Sequence, residues 1–222
     1  MSCSGIQIND GEKWNRKMER RGLTLLELVV ALAIVVATAS VAVLSSGALL
    51  QDSRGDVTRQ SLKGLRDVIA QTYWQDSSLT LPRPNMAVTI TQFPNRQNAA
   101  QLRYLFVNPA TEDTTVTYNP AYRLGWRGPY VVANNGSVYT INTAANSTEQ
   151  YGENGDPAVL DGWGNPIVIQ NPGTWADGSQ DVRLVSAGPN GIVNIDPTTP
   201  TATLLANPNL AGDDAYIYFE VR

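Results

Sequence analysis

"RRGLTLLELVVALAIVVATASVAVL", residues 20–44, sets an apolar run behind two arginines and a glycine and places a carboxylate, Glu27, inside it. From Leu23 to Leu44 the run is 22 residues long, broken by Thr24, Glu27, Thr38 and Ser40. About 20 apolar residues suffice to cross a hydrocarbon core. The run holds neither proline nor glycine, which predicts one continuous helix. A helix apolar around its whole circumference suits lipid better than a soluble core. Arg20 and Arg21 predict that the N-terminal end stays cytoplasmic and the rest is exported. An acid at a bilayer centre costs roughly 2.5–3.5 kcal/mol, less toward the edge. Glu27 therefore needs a reason, unless it merely snorkels to the interface.

Reading outward, residues 1–22 are polar and mixed in charge, without the hydrophobic core of a secretory signal peptide. Met18 offers a second start, leaving a leader of only Met-Glu-Arg-Arg-Gly. Downstream, residues 45–76 continue the helix in amphipathic form. Leu62, Leu65, Val68, Ile69, Tyr73 and Trp74 recur at helical spacing, with Asp56, Arg59, Lys63, Arg66 and Asp67 between them. At 1.5 Å per residue, a helix from Leu23 to Trp74 is roughly 75–80 Å long, and Gly47 and Gly55 are points where it softens. Leu81-Pro-Arg-Pro ends the pattern. Residues 77–222 then read as a β-rich head, with strand-like runs at 87–93, 102–107, 129–133, 137–141, 166–170, 181–186 and 215–221 between Gly, Asn, Pro and Asp-rich connections. In the last run Ile217, Phe219 and Val221 share one face, and Tyr216, Tyr218 and Glu220 the other. The predicted class is α+β, a long N-terminal helix packed on a small antiparallel head.

Composition narrows the chemistry. The 222-residue chain is 42% hydrophobic and 16% charged, within the globular range. Of 16 basic and 20 acidic residues, five and three lie in residues 1–22, so the remainder carries six more acids than bases. Such a surface repels a phosphate backbone, and no nucleic-acid partner is expected. The chain has no histidine, and its one cysteine is Cys3. That removes Ser-His-Asp and Cys-His catalysis, a thiolate–imidazole zinc site and an intrachain disulfide. There is no phosphate-binding glycine loop, and no lysine follows Lys63 to activate a serine. No acidic pair is singled out by spacing, so the chain is not expected to be an enzyme. Any metal would have to take oxygen ligands, which favours calcium.

The stretch Gly22-Leu23-Thr24-Leu25-Leu26-Glu27, with basic residues before it and an apolar run after it, resembles the N-terminal signature of type IV pilins and pseudopilins. Leu23 departs from the phenylalanine commoner at the first mature position. The resemblance implies a pilin-like fold and a leader, residues 1–22, removed by a prepilin peptidase that cuts between Gly22 and Leu23. It also implies N-methylation of the new Leu23 amine, and a filament in which Glu27 of one subunit faces that amine on its neighbour. The physics agrees: a glycine lets a protease approach the backbone. Two charges costly alone are far less costly as a pair, and such a pair fixes an axial register. Residues 23–44 would then be both transmembrane and polymerising.

Four segments of the C-terminal half, "GWRGPY" (125–130), "DGWGNPI" (161–167), "VSAGPNG" (185–191) and "GDD" (212–214), resemble the major pseudopilin of type II secretion. In that family the loops matching the last two hold calcium. The resemblance carries this role to Asp213 and Asp214, and to Asn190, which stands where an aspartate is usual. Ser186, Ala187 and Asp196 complete the expected set, although the insertion 196–211 separates the two loops. Trp126 and Trp163 read as core anchors. The sequon-like triplets at 135–137 and 146–148 read as loop markers.

The expectation is thus a structural subunit of a type II secretion pseudopilus in a bacterial inner membrane. It crosses once, with its head in the periplasm, and polymerises to drive protein export. Implied partners are further copies of the chain, other pseudopilins, the peptidase, an assembly ATPase and a platform protein. A type IV pilus or competence pilin, including a minor subunit, is the alternative. A single-pass anchored enzyme or receptor is the third reading.

Overall fold

The computed structural model describes residues 24–77, 81–82, 100–108, 118–132 and 136–221, with the side chains of 41–49 outside that description. The leader, Leu23 and the predicted strand at 87–93 fall outside it. Two units divide the chain, residues 1–47 and 48–222.

Helix α1 covers Leu25–Asp67, and no break falls at Gly47, Gly55 or Gly64. Its start is set locally. The Thr24 hydroxyl accepts the N–H of Glu27 at 3.3 Å, and the Thr24 carbonyl accepts that of Leu28 at 3.1 Å. A threonine before the first turn, with a glutamate three residues on, satisfies donors that a helix start leaves open.

Within the first unit every described side chain from Thr24 to Ser40 is exposed, the large apolar ones ranging from Val30 at 50% to Leu25 at 84%. Thr38 turns its hydroxyl to the carbonyls of Ile34 and Val35, and Ser40 to that of Val36. Both are satisfied by their own helix. Among the described residues no helix is long and apolar enough to cross a membrane. The sequence's apolar run continues past Ser40 into residues whose side chains lie outside the description.

In the second unit α1 becomes two-sided. Leu62 and Leu65 are buried, whereas Asp56, Arg59 and Lys63 are exposed. The helix then widens into a π segment, Val68–Tyr73, and closes with a turn at Trp74–Asp76. Tyr73 and Trp74, adjacent in sequence, are both buried there with Ile69. Burying a Leu or Ile side chain is worth about 1.5–3 kcal/mol, so this stripe fixes the helix on the head.

The surface it meets is a three-stranded antiparallel sheet, β1 (Val168–Thr174), β2 (Gln180–Ser186) and β3 (Ala215–Val221), in the order β1-β2-β3. Pairings such as Val182 with Phe219 and Leu184 with Ile217 set the register. Side chains alternate across a strand. Val182, Leu184, Ile169, Phe219 and Val221 thus join the helix stripe in one core. The register of β1 slips between Gln170 and Gly173, around Pro172, a residue without an N–H to give to a ladder.

The opposite face is covered too. Val168 and Val185 pack with Val193, Ile195, Leu204 and Ala211, and the last two belong to the 196–211 insertion. The insertion folds into a short helix, Thr201–Ala206, and a 3-10 turn, Pro208–Ala211, against the sheet. Two β2 side chains hold it. Arg183, fully buried, donates to the Gln170 amide oxygen at 2.7 Å and to the carbonyls of Thr199 and Asp196 at 2.6 and 2.7 Å. Asp181 accepts the Thr201 N–H at 2.9 Å. Burial lowers the pKa of Arg183, and the neighbouring Asp181 opposes that shift.

The architecture is α+β, with less strand among the described residues than the sequence suggests. Residues 102–105 form a 3-10 turn instead, because its i, i+3 spacing puts both Leu102 and Leu105 in the core. At 137–141 a single bridge joins Val138 to Pro157, because the opposite segment turns back at Glu153–Asp156 and the Ile141 N–H goes to the Asn154 side chain instead of a strand. Residues 129–132 carry no strand. The N–H groups of Tyr130 and Val131 converge on one carbonyl, that of Leu105.

Arg183→Met should destabilise the protein by about 3–5 kcal/mol, because the buried Gln170 oxygen and two main-chain carbonyls of the insertion lose their donor at once. Arg59→Met, which breaks an exposed pair with Asp56, should change stability by less than about 0.5 kcal/mol. Urea unfolding of the full chain in detergent measures both. Equal losses would contradict the assignment of Arg183 as the anchor.

Candidate functional site

Two places gather the residues singled out by sequence. The first is the start of α1. Glu27 is exposed in the first turn, and no ion pair to it is found among the described residues. It is the one charged side chain from Thr24 to Gln51. The helix start favours a negative charge, but that alone does not require an acid in such surroundings. Gly22 and Leu23, the expected cleavage pair, lie outside the described residues.

The second place is a junction built by the glycine-rich segments of the head. The 161–167 loop rests on α1. Thr58, fully buried, donates its hydroxyl to the Arg54 carbonyl and accepts the Gly162 N–H, both at 2.9 Å. A Cβ on Gly162 would lie 2.2 Å from the Arg54 carbonyl oxygen, so only glycine lets the loop seat this closely. Asp161 is buried and organises the loop. It accepts the N–H groups of Trp163 and Asn165 at 2.9 and 2.8 Å and the Ser186 hydroxyl at 2.6 Å. The Asn165 amide reaches the Gly188 carbonyl at 3.0 Å.

From there the junction passes to the 212–214 turn. Gly188, at φ +63°, is so close to the Asp213 carbonyl that an added Cβ would stand 2.3 Å away. The Asp213 carboxylate accepts the Asn190 N–H at 3.0 Å, the Asn190 side-chain amide, and the Asn194 side-chain amide at 3.0 Å. Asp214 is buried and accepts the N–H groups of Asn194 and Ile195 at 2.8 and 2.9 Å. Burial pushes its carboxyl up to about 6, against the pull of those two N–H groups.

The fourth segment, 125–130, closes the far end of the helix. Arg127 makes a two-pronged pair with the buried Asp76, at 2.8 and 2.6 Å, and the Tyr130 hydroxyl donates to the same carboxylate at 3.0 Å. Burial is the main cause that raises the Tyr130 phenol to about 12. Trp126 is partly buried and donates its ring N–H to the Tyr104 carbonyl at 3.0 Å, an anchor rather than an open platform.

The structure therefore brings Asn190, Asp213 and Asp214 together, as the calcium expectation requires, but not the rest of the set. The Ser186 hydroxyl is given to Asp161, the Ala187 methyl packs in the apolar cluster, and the Asp196 carboxylate accepts from Thr198. Calcium takes about six to eight oxygen ligands. Here two side-chain amides present N–H groups to the carboxylates instead. Among the described residues no group of three or more Asp, Glu, His or Cys side chains is placed to hold a metal. The donor set does not fit calcium. Sequence reading missed Asn194 and Asp161. Asn194 lies among loop asparagines that nothing distinguishes, whereas Gly162 and Gly164 after Asp161 marked a tight loop without revealing its hydrogen bonds.

In comparisons with known proteins, no family model, no curated protein and no solved structure matches the chain.

Gly162→Ala should cost about 1–3 kcal/mol by forcing the loop off the helix. Gly64→Ala, whose Cβ meets nothing within 4 Å, should gain about 0.5–1 kcal/mol from helix propensity. Paired urea titrations decide it: a neutral Gly162→Ala would mean that the loop does not need its seat on Arg54.

Proposed function

We propose that this protein is a structural subunit of a type II secretion pseudopilus. It would be cut after Gly22 by a prepilin peptidase, methylated at the Leu23 amine, and polymerised from the inner membrane to drive protein export. The observation that carries the reading is the first part of α1. It exposes large apolar side chains on every side, turns the Thr38 and Ser40 hydroxyls back onto its own carbonyls, and retains one carboxylate, Glu27. Such a surface is costly in water and suits lipid or a bundle of identical helices.

In this reading the pilin-like arrangement divides labour along one helix. The apolar part anchors and polymerises, and the stripe at Leu62, Leu65 and Ile69 carries a periplasmic head. Glu27 has no cation of its own within the described residues, and cleavage supplies one as the Leu23 amine of a neighbouring subunit. A charge that is costly in lipid then becomes a directional contact between subunits. Thr24 contributes by capping the helix at Glu27, which holds the acid's backbone in a defined first turn. Other pseudopilins, an assembly ATPase and a platform protein would be separate chains.

Glu27→Ala and Glu27→Leu should insert into the membrane as well as the parent or better, yet assemble poorly. Fractionation and cross-linking of filaments, in cells that also make the secretion machinery, read the two steps separately. Normal filaments with either substitution would end the pairing account. Mass spectrometry of the extracted protein should find Leu23 as an N-methylated N-terminus. An intact Met1 or Met18 in cells containing the peptidase would rule the whole reading out.

A further inference from the structure

The junction between residues 186–195 and 211–214 has the outline of a cation clip but a different filling. Asp213 and Asp214 are consecutive carboxylates, and bringing two negative charges together normally calls for a counter-charge. The three donors on Asp213 all come from Asn190 and Asn194, and Asn194 also reaches Asp214 with its side-chain amide at 3.2 Å and its backbone N–H at 2.8 Å. The orientation of the Asn190 amide is fixed independently, because its oxygen accepts the Ile192 N–H at 2.6 Å. Reversing it would set oxygen against the Asp213 carboxylate and N–H against N–H. A cation entering this space would meet two NH2 groups and would have to expel both.

From this geometry we infer that the C-terminal junction is closed without a metal ion. The side-chain amides of Asn190 and Asn194 take the position in which a divalent cation would otherwise neutralise Asp213 and Asp214. The clip is a hydrogen-bonded one, and its strength does not depend on the surrounding calcium level. This conclusion is independent of the filament reading, since it concerns only how the head holds its last strand.

Thermal unfolding of the full chain in detergent tests it, once with EDTA and once with 1 mM calcium chloride as the only added divalent ion. The expected result is a Tm that agrees within about 1 °C between the two conditions. A cation present at about a hundred times its dissociation constant would raise Tm by about 5–10 °C, and a rise of that size in the parent protein would overturn the inference. Asn190→Asp supplies the converse. It removes the amide and adds a third carboxylate, so its Tm should fall in EDTA and recover in calcium chloride. An Asn190→Asp protein as stable as the parent in EDTA would also overturn the inference, because the amide would then contribute nothing. The parent's two melting curves remain decisive even if the variant does not fold.

Discussion

A strand buried at every residue from Asp181 to Ser186 can satisfy its backbone only through its two neighbours, and its side chains only through whatever covers each face. β2 is that strand, and most of the second unit is placed by its needs. Its even-numbered apolar positions, Val182 and Leu184, call for the helix stripe. Its odd-numbered positions include Asp181 and Arg183, which cannot be left against bare hydrocarbon. The 196–211 segment answers them with backbone groups, two carbonyls for the guanidinium and one N–H for the carboxylate. Arg183 thus does in the interior what a buried arginine can do without a direct carboxylate partner: its planar fork collects several neutral oxygens at once.

The parts of the fold legible in the sequence are those with one dominant period. Leu62, Leu65 and Ile69 mark their helix face by spacing alone, and the runs at 166–170, 181–186 and 215–221 fall on the three strands. The runs that misled lie where a partner decides the outcome. Residues 102–107 are apolar enough for a strand, yet a 3-10 turn buries Leu102 and Leu105 together, and no period in six residues separates the two solutions. Residues 137–141 alternate well, but the segment opposite turns at Glu153–Asp156, and a strand without a continuing partner cannot extend whatever its local propensity. The insertion was legible as extra length and not as a second cover for the sheet, because its hold on β2 passes through main-chain groups that every residue possesses.

The two candidate places were legible to different degrees. At the start of α1 an acid in an apolar run stands out against its background, and Thr24 adds a helix cap that a short-range rule could have supplied. At the C-terminal junction, acidic and amide residues in glycine-rich loops indicate proximity correctly, since Asn190 does meet Asp213. What composition cannot convey is direction. An asparagine offers an oxygen and an NH2 on the same carbon, and only the surrounding donors decide which end faces a carboxylate.

The slip in β1 has one more consequence. A three-stranded open sheet has two outer edges, and each is a place where a foreign strand could add. On the β1 side the row of main-chain groups is spoiled by Pro172 and the irregularity beside it. β3 is regular over all seven of its residues and, among the described residues, has a strand neighbour on one side only. The sheet is therefore lopsided as a template. The unbroken row of main-chain groups thus belongs to the C-terminal strand, where Tyr218 and Glu220 are exposed and a carboxylate stands guard against an acidic neighbour.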